Sequence, residues 1–107
     1  MNESDEVSEK IVARLLYWAC NPTNISPIST ARKCLTQFPV EWISNKIKKV
    51  YAASIDIADD WDYRRLLELS ELISNDMLCW ALDLNKESSN DDIKEAISDF
   101  IELLKEN

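Results

Sequence analysis

The stretch Asp59-Asp60-Trp61-Asp62-Tyr63-Arg64-Arg65-Leu66-Leu67-Glu68-Leu69-Ser70-Glu71-Leu72-Ile73 decides the fold class. Tyr63, Leu66, Leu67 and Ile73 recur at helical spacing, and Leu69 and Leu72 widen the stripe. A stripe this broad predicts a helix that touches two neighbours. The helix runs from Trp61 to Ile73, with Asp59 or Asp60 as its cap.

The same reading extends in both directions. Toward the carboxy terminus, Ser74 or Asn75 caps a fifth helix from Asp76 to about Asn85. Lys86 to Asn90 is a short polar turn. Ser89 or Asn90 then caps a sixth helix from Asp91 to about Lys105, with Ile93, Ala96, Ile97, Phe100, Ile101 and Leu104 as its apolar residues. Toward the amino terminus, Pro39 starts a third helix with Val40, Ile43, Ile47, Val50 and Tyr51 inward. Lys46, Lys48 and Lys49 fall largely on its wet side. Ser26-Pro27 starts a second helix, with Ser26 as its cap and Pro27 at the first helical position, and Ile28, Ala31, Leu35 and Phe38 inward. The first helix spans about Asp5 to Cys20, capped by Ser4 and ended by Asn21-Pro22. Val7, Ile11, Val12, Leu15, Leu16 and Ala19 form its stripe.

The expected fold is therefore all-α: one domain over residues 1–107, a compact bundle of about six short helices. Helical hairpins stacked as in a solenoid are the alternative packing. A length of 107 residues with 46% hydrophobic and 30% charged residues suits a folded chain with one core. The sequence has no Gly, which argues against tight hairpins and phosphate-cradling loops. It has no His, so the commonest general base and zinc ligand are missing.

Charge is unevenly placed. Residues 1–54 hold 7 basic and 5 acidic residues, while residues 55–107 hold 5 basic and 15 acidic ones. A field of one sign steers partners of the other sign, and it opposes nucleic-acid binding. The acidic residues form two groups. The first is Asp56, Asp59, Asp60 and Asp62, interleaved with Trp61 and Tyr63; the second is Asp76, Asp83, Glu87, Asp91 and Asp92. In one reading they form a recognition surface, with carboxylates accepting charge-assisted hydrogen bonds and Trp61 and Tyr63 as anchors. In the other they are helix caps and solvated surface. Whether the groups meet in space is open at this stage. The candidate partner-binding residues are Asp56, Asp59, Asp60, Trp61, Asp62, Tyr63, Asp83 and Glu87.

Other chemistry is disfavoured. A calcium loop fails on spacing and lacks its Gly. Arg64 and Arg65 suit pairing within the chain with Asp60, Asp62, Glu68 or Glu71. Of the four tryptophans, Trp61 and Trp80 are the expected exposed pair. Cys20, Cys34 and Cys79 are an odd, widely spaced set, read as reduced and mostly buried thiols. Cys20 at a helix carboxyl end is poorly placed for thiolate activation. Carboxylate pairs alone mark no catalytic cleft, so no enzyme activity, metal or cofactor is expected. The polar, acidic start has no secretory pattern, and no apolar run approaches the ~20 residues that span a bilayer, so a cytoplasmic location is expected.

The segment from Ile57 to Phe100 carries a resemblance. Trp61-Asp62-Tyr63-Arg64-Arg65-Leu66-Leu67-Glu68-Leu69, followed by a hairpin ending in Asp92-Ile93-Lys94-Glu95-Ala96, resembles a pattern in small acidic helical immunity proteins of bacterial toxin systems, including contact-dependent growth inhibition. The resemblance implies binding to a co-encoded toxin domain, often a basic nuclease, and occlusion of its active site or substrate surface. The candidate residues come from the charge and aromatic argument, not from the resemblance. The alternative function is a helical adaptor or structural subunit that binds a protein through an apolar groove.

Overall fold

A computed structural model describes residues 5–20 and 25–106. Its helices are α1 (Asp5–Cys20), α2 (Ile25–Leu35), α3 (Val40–Ser54), α4 (Asp60–Ile73), α5 (Asn75–Leu84) and α6 (Asp91–Glu106). The all-α bundle expected from the sequence is what forms.

Local chemistry sets most boundaries. Asp59 caps α4: its carboxylate accepts from the N–H groups of Trp61 at 2.9 Å and Asp62 at 3.1 Å. Ser74 serves two helices. Its N–H closes α4 on the Ser70 carbonyl, and its hydroxyl accepts from Met77 N at 3.1 Å to open α5. Asn90 caps α6, accepting from Asp92 N at 2.8 Å and Ile93 N at 3.2 Å. Pro39 stands at the cap of α3, one position before the helix proper. Helix α2 begins at Ile25, so Ser26 lies within its first turn instead of capping it. Pro27 still falls among the first N–H positions, which have no intrahelical acceptor. The expected Ser4 cap and the Asn21-Pro22 stop lie outside the described residues.

Helices α1 and α4 are the hubs. Helix α1 packs on α2, α3 and α4, and α4 packs on α1, α5 and α6. One contiguous core draws on all six helices, with Val12, Leu16, Leu35, Ile47, Tyr63, Leu67, Leu78 and Ile93 among its members. The breadth of the α4 stripe is thus explained: Tyr63, Leu66, Leu67 and Leu69 are all fully buried because α4 has neighbours on several sides.

Relative placements follow from the contacts. Ala58, just before α4, borders the same groove as Ile93 at the start of α6, and Arg64 of α4 reaches Glu95 and Asp99 of α6. The first turns of these two helices therefore lie side by side. The Cys20 thiol at the end of α1 lies close enough to the first half of α4 to feel the charges of Asp62 and Arg65.

Several expectations about facing are corrected. Val7, Ile11 and Val40 were placed inward by periodicity but are exposed. Lys46 was placed on the wet side but is buried: its ammonium lies 3.5 Å from the Glu9 carboxylate of α1 and 5.6 Å from the Trp42 ring centroid. Its long stem packs while its head is paired. Trp18 is the exposed tryptophan; Trp61 and Trp80 are half-buried, Trp80 edge-on to Tyr51. Only Cys20 of the three thiols is buried.

Candidate functional site

The two acidic groups of the sequence meet in part. The segment between α3 and α4 (residues 55–59) and the segment between α5 and α6 (residues 85–90) lie at one end of the bundle. The Asn85 side chain donates to the Ile57 carbonyl at 2.6 Å and joins them. The Tyr63 hydroxyl donates to the Ala81 carbonyl at 2.6 Å and holds α5 against α4 just behind that end. An open groove of about 510 Å³ lies between the segments, lined by Ala58, Leu84, Asn85, Glu87, Asn90 and Ile93 among others.

Exposed carboxylates surround this end. Asp56, Asp59 and Asp60 come from the first segment and the start of α4; Asp83, Glu87, Asp91 and Asp92 come from the second. Lys86 lies 3.8 Å from Asp83, an exposed pair of little energetic weight. Asp76, at the start of α5, borders a different groove with Val40, Glu41 and Lys48, so it does not belong to this group.

Each candidate residue has a definite place. Asp59 is both cap and exposed charge. The Asp56 carboxylate accepts from Ala58 N at 3.0 Å, forming a local turn, and remains exposed. Asp60, Asp83 and Glu87 are exposed. Trp61 is half-buried, with the Arg65 guanidinium 4.4 Å from its ring centroid, so its face is already used by a cation of the same chain. Asp62 and Tyr63 do not belong to the surface. Asp62 is buried and accepts from Asp56 N at 3.2 Å. Tyr63 is wholly buried. The physical reason is register: residues 62 and 63 lead the stripes that continue through Leu66, Leu67 and Leu69 into the core. The anchor expected of Tyr63 is a core contact instead.

Burial keeps two reactive groups quiet. Burial first, then the nearby Asp62 charge, pushes the Cys20 thiol well above its ordinary range, so it stays protonated and is no nucleophile. Burial likewise raises the Tyr63 phenol, which stays an O–H donor to the Ala81 carbonyl.

A second polar cluster escaped the sequence reading. Glu68 of α4 pairs with Arg32 of α2 and, at 3.1 Å, with Arg65 one turn away. Pairing of Arg65 with Glu68 was legible from the i,i+3 spacing. Arg32 was not, because it lies on a helix far away in sequence. Arg64 pairs with Glu95 and Asp99 of α6 instead of an acid on its own helix.

Among the described residues, no group of three or more His, Cys, Asp or Glu is placed to hold a metal ion, and no helix is long and apolar enough to cross a membrane.

The double role of Asp59 gives a stability prediction. Asp59→Ala removes the cap of α4 and is expected to cost about 1 kcal/mol in urea unfolding; Asp59→Asn, which caps equally well, should cost no more than a few tenths. Equal losses in both variants would contradict the capping role.

No family model, curated protein or solved structure matches the chain.

Proposed function

We propose that the chain is a protein inhibitor of the immunity type, which binds a basic toxin domain through its acidic end. The observation that carries this reading is the joining of two acidic segments at one end by the Asn85–Ile57 hydrogen bond, around an open groove. Carboxylates spaced along a rim can accept charge-assisted hydrogen bonds from Lys and Arg side chains, the groups that a nuclease uses to hold phosphates. Occupying those groups blocks the substrate surface, and the inhibitor needs no catalytic group of its own. The residues that carry the interaction in this reading are Asp56, Asp59, Asp60, Asp83 and Glu87, joined by Asp91 and Asp92. Trp61, half-buried and stacked on Arg65, plays a lesser part.

The test is co-purification with the toxin domain encoded beside its gene, followed by titration at low and high salt. A rim held by charge predicts affinity that falls at least about tenfold between 50 and 300 mM salt. The variant Asp56→Asn/Asp59→Asn/Asp60→Asn should show a comparable loss at low salt while remaining folded, since Asn keeps the α4 cap. Salt-insensitive binding that the triple variant leaves unchanged would remove the charge mechanism and favour an adaptor that grips its partner by apolar contact.

A further inference from the structure

Among the described residues, helix α6 buries least. Of its 16 residues only Ile93 and Ala96 are buried, against six of the 14 in α4 and four of the 10 in α5. Ile97, Phe100 and Leu104 rest on the core partly buried, and Ile101 and Leu103 are exposed. Helix α4 is the helix that α6 packs along. Apolar burial therefore holds α6 less firmly than its neighbours.

Charge opposes the contact. Helix α6 carries six acidic and two basic residues, net −4, and α4 carries four acidic and two basic, net −2. Among the described ion pairs, Arg64 is the cation that crosses the seam. It donates to Asp99 at 3.2 Å and lies 3.9 Å from Glu95, one turn earlier on α6. The other α4 cation, Arg65, is taken up by Glu68 and the Trp61 ring. The Arg64 side chain is 30% exposed, and those of Glu95 and Asp99 are 71% and 57% exposed, so the clasp is weak.

The segment before α6 is built like a hinge. Asn85 is pinned to the Ile57 carbonyl, and α6 begins at Asp91 beyond the Asn90 cap. Ile93, on the moving side of this hinge, lines the acidic groove opposite Ala58, Leu84 and Asn85. Lifting α6 removes that wall and carries Asp91 and Asp92 away from Asp56, Asp59 and Asp60.

We propose that α6 is a strap that opens and closes on α4 as one unit, and that its closure completes the acidic groove. The Arg64 clasp holds the strap shut. That a basic partner fills the groove rests on the function proposed above; in that reading the bound partner bridges both walls and locks the strap.

The test is amide hydrogen exchange of the full chain, read peptide by peptide by mass spectrometry. After correction for intrinsic rates, residues 93–104 should exchange at one common level, at least about tenfold faster than the α4 core. Arg64→Ala should speed that exchange at least about twofold, and Arg64→Glu at least about fivefold, with α1 to α3 unchanged. Adding Glu95→Lys/Asp99→Lys to Arg64→Glu should bring it back to within about threefold of the parent. Residues 93–97 as protected as the α4 core, with protection lost only toward Glu106, would mean end fraying and overturn the proposal. So would an Arg64→Glu effect that spreads to every helix or that the charge swap fails to reverse. With a basic toxin domain bound, exchange in α6 should slow at least about tenfold. Unchanged exchange in a complex that does form overturns the locking. A chain that binds no such domain sinks the function proposed above, while exchange in the free chain still decides the strap.

Discussion

Tyr63→Ala is expected to lower the free energy of unfolding by about 3–5 kcal/mol, the range for deleting a large aromatic side chain from a core. Against a typical total of about 5–15 kcal/mol, that is a large fraction of the stability of a domain. Tyr63 is fully buried, and its ring lies where α4 meets α5. Its hydroxyl donates to the Ala81 carbonyl at 2.6 Å and lies 3.4 Å from the Leu82 carbonyl. Tyr63→Phe keeps the ring and removes the donor, so it should cost only about 1 kcal/mol. Urea unfolding of the two variants separates packing from hydrogen bonding. A Tyr63→Ala protein as stable as the parent would place the ring on the surface, where the aromatic-anchor reading first put it.

Glu68→Ala is expected to cost about 2–4 kcal/mol. Glu68 lies between the guanidinium groups of Arg32 and Arg65, and all three side chains are less than a third exposed. Removing the carboxylate leaves two partly desolvated cations facing each other, with the Nε atoms of both arginines already buried and without a hydrogen-bond partner among the described residues. Breaking a fully buried ion pair costs roughly 3–5 kcal/mol, and partial exposure here trims that figure. The cluster itself is a different matter. Replacing it whole, as Arg32→Met/Arg65→Leu/Glu68→Leu, should leave stability within about 1 kcal/mol of the parent, because the desolvation of three charged groups disappears together with their attraction. Equilibrium unfolding of the single and triple variants tests both statements. A single variant that unfolds at the parental midpoint would mean that the arginines find other partners.

The helices themselves were legible in the sequence. The caps at Asp59, Ser74 and Asn90 act through hydrogen bonds to residues two or three positions on, so spacing alone reveals them. The misplaced start of α2 shows the limit of the rule: Pro is tolerated throughout the first turn, so Pro27 marks that turn without fixing its first residue.

Facing was less legible. Periodicity identified an apolar stripe on α1 but not how much of it would be covered. Val12 and Leu16 are fully buried in the core, while Val7 and Ile11 on the same stripe are exposed. The same limit applies to Lys46, whose burial depends on Glu9 of another helix, and to Asp62, whose carboxylate is turned into the structure by the Asp56 N–H. A charged residue reads as exposed until a distant partner is known.

The candidate site divides along the same line. Its acidic character belongs to the sequence, since the 15 acidic residues of the second half hold wherever they are placed. Helix positions and caps belong there too, because they depend on side chains within about one turn of each other. The tertiary structure alone decided that Asp56, Asp59 and Asp60 share an end with Asp83 and Glu87, and that Asp62 and Tyr63 leave that surface. Those outcomes rest on contacts such as Asn85 with Ile57, 28 positions apart, and Arg32 with Glu68, 36 positions apart. Helical periodicity repeats within a few residues and carries no information at that range; only the packing of one helix on another supplies it.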